Sequence, residues 1–251
     1  TFIRGVKIPT IIYDGNHEAT KKNKTFFTQL KRVSRDINPL VHIVDISYID
    51  EDLGYGILPY ADLHRKDSIE QFNTSQPLFT HVRGEIPPHV KPEVDLSRFE
   101  DFPVVFSGDL HSHSNSQLNI VYPGSPMTTS FHRSLVKTGY LFINEQDWSW
   151  IWEEFSLPQL IRKTVSNPAD MVPTDFHHTI YEIEGDIQDL AGIKNSDLLD
   201  KKVVVRKSEA SLIISKDMTV SEELAEYLTY ILEISEDKIP DILGTYNDYA
   251  S

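Results

Sequence analysis

Short apolar runs, each closed by glycine or a polar cluster, recur along the first two-thirds of this chain. "KIPTIIYDG" (7–15) is a β-branched run stopped by Gly15, the pattern of a buried strand. "PLVHIVDISYI" (39–49), "YGILPYA" (55–61), "PLFTHVRGEI" (77–86) and "FPVVFSGDLHSH" (102–113) read the same way, the last ending in a polar loop. "LNIVYPGSP" and "TGYLFIN" continue the strand pattern. Between the first two strands, Phe26, Leu30 and Val33 fall at helical spacing. Trp148, Trp150 and Trp152 alternate, which predicts one shared strand face and a packing role.

The pattern breaks at "SLPQLIRKTVSNPADMVPTD" (156–175), which carries three prolines and little periodicity. It reads as a linker with room for a short helical piece. Alternation then restarts. "HTIYEIEG" predicts a strand, "DIQDLAGI" a short helix and "KKVVVRKS" a strand. "TVSEELAEYLTYILEI" predicts a helix with Thr219 and Glu222 as its capping box and Leu224, Leu228 and Ile231 as its apolar stripe. The expected organisation is a main domain over 1–160, a linker over 161–175 and a small α/β cap over 176–251.

Composition narrows the classes. The 251 residues are 39% hydrophobic and 25% charged, ordinary for a globular protein. No run approaches the ~20 apolar residues of a membrane span, so no membrane partner is expected. The absence of cysteine excludes disulfides and thiolate metal sites and fits a cytoplasmic setting. The net charge of −14 opposes unaided binding to nucleic acid, where phosphate contacts supply much of the affinity. A DNA-handling role therefore calls for a metal site or a basic partner.

Candidate chemistry clusters at predicted strand ends, where sites form in layered α/β sheets. "GNHE" (15–18) follows the first strand, His81 sits within "LFTHVRG", and "GDLH" (108–111) follows another strand. This order resembles the calcineurin-like metallophosphoesterases, whose pattern runs D-x-H, G-D, G-N-H-[D/E], a lone H, then G-H-x-H. The last three elements are matched here. "YPGSPMTTSF" and "KTGYLFI" downstream resemble the SbcD-type nuclease subunits, a group that includes phage recombination nucleases and the eukaryotic double-strand-break repair nuclease. The resemblance covers residues 9–143 by motif and the region beyond 176 by architecture.

The resemblance implies an α/β (α+β) fold, a layered β-sandwich flanked by helices with a smaller α/β capping domain. It implies metal-dependent exonuclease or endonuclease hydrolysis at DNA ends, with two Mn²⁺ ions, or Mg²⁺, in the complete site. Asn16, His81 and Asp109 would hold one ion and His111 would contribute to the other. His17 would face the scissile phosphate as the catalytic group, with Asp14 or Glu18 orienting it. Arg83, two residues from His81, reads equally as a phosphate contact or a surface salt bridge. Implied partners are an SbcC-type coiled-coil ATPase subunit and a second copy joined through the nuclease domain.

Two departures stand out. The chain opens at Thr1, just before the third motif, so D-x-H and G-D have no counterpart. The expectation is that about 70 residues of the domain lie upstream and that this stretch alone is inactive. Second, Asp109 stands where the family has the first histidine of G-H-x-H, a change that favours harder ions. A rival alignment pairs His111 with His113; Gly108 at the strand end favours the first. A phosphatase or small-molecule phosphodiesterase on the same fold, or a non-catalytic scaffold subunit, are the alternative readings. The short strands and "GDLH" hint at a phage protein acting in the host cytoplasm.

Overall fold

Helix α1 (Phe2–Gly5) leads into β1 (Thr10–Tyr13), which pairs in parallel with β4 (Val41–Val44), Ile12 standing opposite Ile43. The computed structural model of the chain describes residues 2–21, 24–204, 218–232, 234–235 and 237–250. Between these two strands come an antiparallel ribbon, β2 (Ala19–Lys21) with β3 (Lys24–Thr25), and helix α2 (Phe27–Ile37).

The buried face of α2 differs from the expected stripe. Phe27 and Ser34 are buried and Leu30 packs on Val41 and Ile43, whereas Phe26 and Val33 are exposed. The helix begins one residue later than Phe26, which sits at the N-cap, so the inward face is rotated. Past its end, the Asn38 amide donates to the Ile3 and Val6 carbonyls at 2.8 and 3.0 Å and ties down the segment ahead of β1.

The apolar run over 39–49 is two strands in two sheets. β4 stops at Val44, and β5 (Tyr48–Asp50) begins after a turn held by Asp62, whose carboxylate accepts from the Ser47 N–H at 2.6 Å and the Ser47 hydroxyl at 3.0 Å. β6 (Tyr55–Leu58) is buried along its length and gives way at Pro59 to the one-turn helix α3 (Tyr60–Leu63). β7 (Leu78–His81), β8 (Val105–Gly108) and β9 (Ile120–Val121) complete a five-stranded sheet in the order β5-β6-β7-β8-β9. Only the β5–β6 pair is antiparallel. Its main core gathers Leu58, Leu78, Val82, Phe99, Val105 and Tyr122. Burial at about 25 cal/mol per Å² of apolar surface is what holds the sheet against this layer.

β10 (Gly139–Ile143) and β11 (Trp150–Glu154) form an antiparallel hairpin. Trp148 lies in the turn ahead of β11 with φ of 59°, so the three tryptophans do not share a face. Trp148 packs on Tyr55 and Phe79, while Trp150 and Trp152 flank His113.

The chain divides into two compact units: residues 1–161 with 175–178, and 162–174 with 179–251. The stretch expected as linker contains a strand, β12 (Leu160–Val165), and a one-turn 3₁₀ helix at Pro168–Asp170. β12 joins β13 (His178–Gly185) and β14 (Leu199–Val204) in a three-stranded sheet, with helix α4 (Ile187–Ala191) connecting the parallel β13–β14 pair. The last four residues of "KKVVVRKS", 205–208, lie outside the described residues. Helix α5 (Val220–Tyr230) has the expected capping box: the Thr219 side chain accepts from the Glu222 N–H, and the Glu222 carboxylate accepts from the Thr219 N–H. Leu228 is its buried apolar residue, and Ile231 falls at the C-cap, outside the helix. A further helix, α6 (Ile239–Ala250), packs against α5 and had no sequence expectation. Among the described residues no helix is long and apolar enough to cross a membrane.

Candidate functional site

The loop after β1, the last residue of β7 and the residue after β8 bring three side chains to one place, β7 and β8 being a parallel pair. The Asn16 Oδ1 lies 3.2 Å from His81 Nε2. The Asn16 amide nitrogen donates to Asp109 Oδ1 at 3.1 Å, and His81 Nε2 stands 3.6 Å from the same oxygen. The Tyr13 hydroxyl donates to the Thr80 carbonyl at 3.1 Å, bracing β1 against β7.

Two glycines make room for the His81 ring. A Cβ on Gly15 would stand 2.7 Å from His81 Cε1, and one on Gly108 would stand 2.5 Å from His81 Nδ1. Both backbones crowd the Nδ1–Cε1 edge, so the strand-end glycines are needed for close approach as well as for turning. Asp109, next to Gly108, adopts φ of 90°, a left-handed backbone that costs a non-glycine residue energy and that gathers at functional sites.

Electrostatics fix the Asp109 carboxylate. Burial pushes its pKa up, but hydrogen bonds from His81 and Arg83 and the Arg83 charge outweigh this and hold it below the ordinary value. Arg83 Nε donates to Asp109 Oδ2 at 3.1 Å, so this arginine takes its salt-bridge reading while still lining the cleft. Its backbone N–H donates to Glu93 at 3.1 Å, and the Tyr60 hydroxyl donates to the other Glu93 oxygen at 2.8 Å. Burial, with the Glu93 bond and charge, drives the Tyr60 hydroxyl up to about 12, so it acts as a donor.

The remaining sequence candidates take separate places. His17 is exposed and lines the cleft. Asp14 is buried and accepts from the Ala61 N–H at 3.3 Å; burial carries its carboxyl up to about 6 against the bonds from Thr25 and Ala61. The Glu18 carboxylate accepts from the Gly15 N–H at 2.8 Å. Among the described residues neither carboxylate bonds His17. His111 lines the cleft, its Nδ1 3.1 Å from the Thr129 hydroxyl. His113 points elsewhere: its Nδ1–H donates to the Tyr122 carbonyl at 2.7 Å and its ring stacks on Trp152 at 5.3 Å and 9°.

The cleft lined by Asn16, His17, Arg83, Asp109 and His111 is about 510 Å³ and belongs wholly to the first unit. Its lining adds Ser125, Thr128–Ser130 and Lys137, which lie in "YPGSPMTTSF" and "KTGYLFI" but have no role assigned there, and His132, which no motif marked. Asp109 is its one acidic side chain, against Arg83, Lys137 and the imidazoles of His17, His111 and His132. An acidic chain thus leaves one concavity with a surplus of basic groups, the arrangement that draws anions.

The Asn16–His81–Asp109 set also suits a small divalent cation by donor type and spacing. Ligand bonds of about 2.1 Å place neighbouring donors roughly 3.0–3.5 Å apart; Asn16 Oδ1 lies 3.2 Å and Asp109 Oδ1 3.6 Å from His81 Nε2. Amide oxygen, imidazole and carboxylate make the mixed shell that Mn²⁺ accepts. Among the described residues no group of three or more His, Asp or Glu side chains converges to hold a metal; this cluster has two, with an amide as the third donor.

These observations define a mixed α/β protein with a basic-lined cleft at parallel strand ends. No protein-family model matches the chain. It is 37% identical, over 258 aligned positions, to probable exonuclease subunit 1 of Escherichia phage T5, an alignment that covers 99% of this chain and 78% of that protein. The chain belongs to the family of that phage exonuclease subunit, a nuclease family.

Proposed function

We propose that this protein is the nuclease subunit of an SbcCD-type recombination and repair complex, with a metallophosphoesterase sandwich, and that it hydrolyses phosphodiester bonds at DNA ends with Mn²⁺. The carrying observation is the contact of His81 with Asn16 and Asp109, two residues that line a cleft with exposed His17 and no other acidic side chain. The relative's printed name, an exonuclease subunit, agrees on reaction and on assembly with other subunits. An SbcC-type coiled-coil ATPase is the partner in this reading, and a second copy pairs through the nuclease domain. The site of action is the host cytoplasm.

The chain's own residues have assigned tasks. Asn16, His81 and Asp109 would hold one ion, and His111 would turn from Thr129 toward a second. A bound divalent ion supplies charge neutralisation at the phosphate and lowers the pKa of an attacking water. His17 donates a proton to the leaving oxygen or a hydrogen bond to the phosphate. Arg83 keeps Asp109 ionised and oriented. Lys137 and the Thr128–Ser130 hydroxyls receive the flanking phosphates.

The test is Mn²⁺-dependent nucleotide release from linear DNA by the full-length protein, alongside its metal content. His17→Ala should keep the metal and slow release about 10²–10⁴-fold, the usual scale for a proton-transfer group. Unchanged release by this variant, or release that survives complete metal removal, would reject the assignment.

A further inference from the structure

The cleft also has apolar lining that the chemistry above does not use. Ile86 and Val90 line it, together with Met127 and Val136. Ile86 also packs on the main core, and Val90 and Val136 are half-buried, so the cleft carries a fixed apolar surface among its hydroxyls and imidazoles.

These residues are held in place before any ligand arrives. Ile86 and Val90 exchange two backbone hydrogen bonds, at 2.9 and 2.8 Å. The neighbouring Glu85 is gripped by the Gln117 amide, which accepts from its N–H at 2.9 Å and donates to its carbonyl at 3.2 Å. Val136 is gripped the same way by the Gln159 amide, at 3.0 Å to its N–H and 2.8 Å to its carbonyl. Met127 is 58% exposed and supplies a conformable thioether surface. Two carboxamide clamps thus fix apolar groups at a rigid wall, a preorganisation that suits binding.

We infer that the cleft is a slot for one unpaired terminal nucleotide, whose base lies against Ile86, Val90 and Met127 while its phosphate meets the basic side chains. Three features select this occupant. The basic surplus in an otherwise acidic chain calls for an anion. A nucleotide joins an anionic phosphate to a flat base, which matches a cleft lined by both basic and aliphatic side chains. A volume of about 510 Å³ lies in the range that encloses a ligand of that size and not a base pair with its neighbours. Aliphatic wedges of Ile and Met are also side chains that separate a base from its stack. The protein therefore takes hold of frayed or single-stranded ends in preference to blunt ones. The phosphate half of this inference rests on the proposed nuclease reading; the base half does not.

The experiment measures binding, so it does not depend on turnover. Short labelled single strands that end in a normal nucleotide or in an abasic one are titrated by fluorescence anisotropy in EDTA, with each end tested separately. The wild-type protein should prefer the normal end by about tenfold at one of the two ends, the scale of one base contact. Val90→Asn and Met127→Ser should each reduce this preference to about threefold or less. Met127, exposed, can be changed without a folding penalty, and thermal melts check Val90→Asn. Equal affinity of the wild-type protein for normal and abasic ends, or a preference unmoved by both variants, would overturn the slot. Base preference in a protein that never releases nucleotides would instead remove the nuclease reading and leave the slot standing.

Discussion

Replacing Gly108 with alanine tests the close packing on which the candidate site depends. The added Cβ would stand 2.5 Å from His81 Nδ1 and 3.1 Å from Cε1, whereas an ordinary contact begins at 3.4 Å. The ring must retreat by about 1 Å, and overpacking of this kind costs about 1–3 kcal/mol. Gly15, whose own backbone presses on the same edge of the ring, leaves little slack. A shift of that size stretches the 3.2 Å contact between His81 and Asn16 beyond hydrogen-bond range. The expected result is a loss of about 1–3 kcal/mol in urea denaturation in EDTA at pH 7, with weaker Mn²⁺ binding by calorimetry. Gly244→Ala serves as the control: nothing lies within 4 Å of its added Cβ, it sits inside α6, and helix propensity predicts a gain of up to about 1 kcal/mol. If Gly108→Ala matched the wild type in both stability and Mn²⁺ affinity, the described packing of His81 would be wrong.

Two further outcomes bear on stability. Glu182 is buried in β13 with Lys201 Nζ at 2.8 Å and Arg162 Nε at 3.5 Å. Glu182→Ala removes this buried anion, while Lys201 stays half exposed and Arg162 keeps Asp200 at 2.9 Å, so the loss should be about 1–2 kcal/mol in chemical denaturation; no loss would contradict the network. For Asp45, burial raises the pKa, but the Lys31 and Thr28 hydrogen bonds and the Lys31 charge bring it below its ordinary value. A depressed carboxyl pKa gives stability that is present above the unfolded value and is lost as pH falls through the folded one. Asp45→Asn should therefore cost roughly 1 kcal/mol at pH 7, a figure kept small because solvent reaches Lys31; the gap to wild type should close in melts run near pH 3, and a gap that widened there would reverse the sign.

The strands of the first unit were legible because their apolar runs are short, β-branched and closed by glycine. What escaped was set by distant partners. The break between β4 and β5 depends on Asp62 receiving both bonds from Ser47, and nothing in "VDIS" announces that carboxylate. Trp148 interrupts an apparent alternation because a left-handed turn residue carries its ring to Tyr55 and Phe79. β12 was hidden by the prolines around it, yet Leu160–Val165 needs only β13 as a neighbour to become a strand. α6 contains Pro240 and Gly244, which read as breakers. Pro240 falls in the first turn, where its missing N–H breaks no helical bond, and an exposed glycine weakens a helix without ending it.

The cluster itself was legible because strand ends mark where polar side chains can converge, and Asn16, His81 and Asp109 do converge. His113 was not separable from His111 by spacing: two residues apart, they part company because the Tyr122 carbonyl and the Trp152 ring capture one of them. His132 comes from an aperiodic loop and carried no signal, and Lys137 opens "KTGYLFI" without any role attached to it. The net charge misled in a more general way. A sum of −14 says nothing of where the charges lie, and screening over about 8 Å at physiological salt hides remote carboxylates from a cleft. What a phosphate meets there is set by Arg83, Lys137 and nearby imidazoles, and Arg83 is already shared with Asp109. With so few cations available, the electrostatic part of DNA affinity can reflect only about one or two phosphates, a shallow salt slope. Under the proposed function, such a cleft would position one nucleotide and leave the duplex to be gripped elsewhere. That division of labour is the physical reason the proposed function includes a second subunit to grip the DNA.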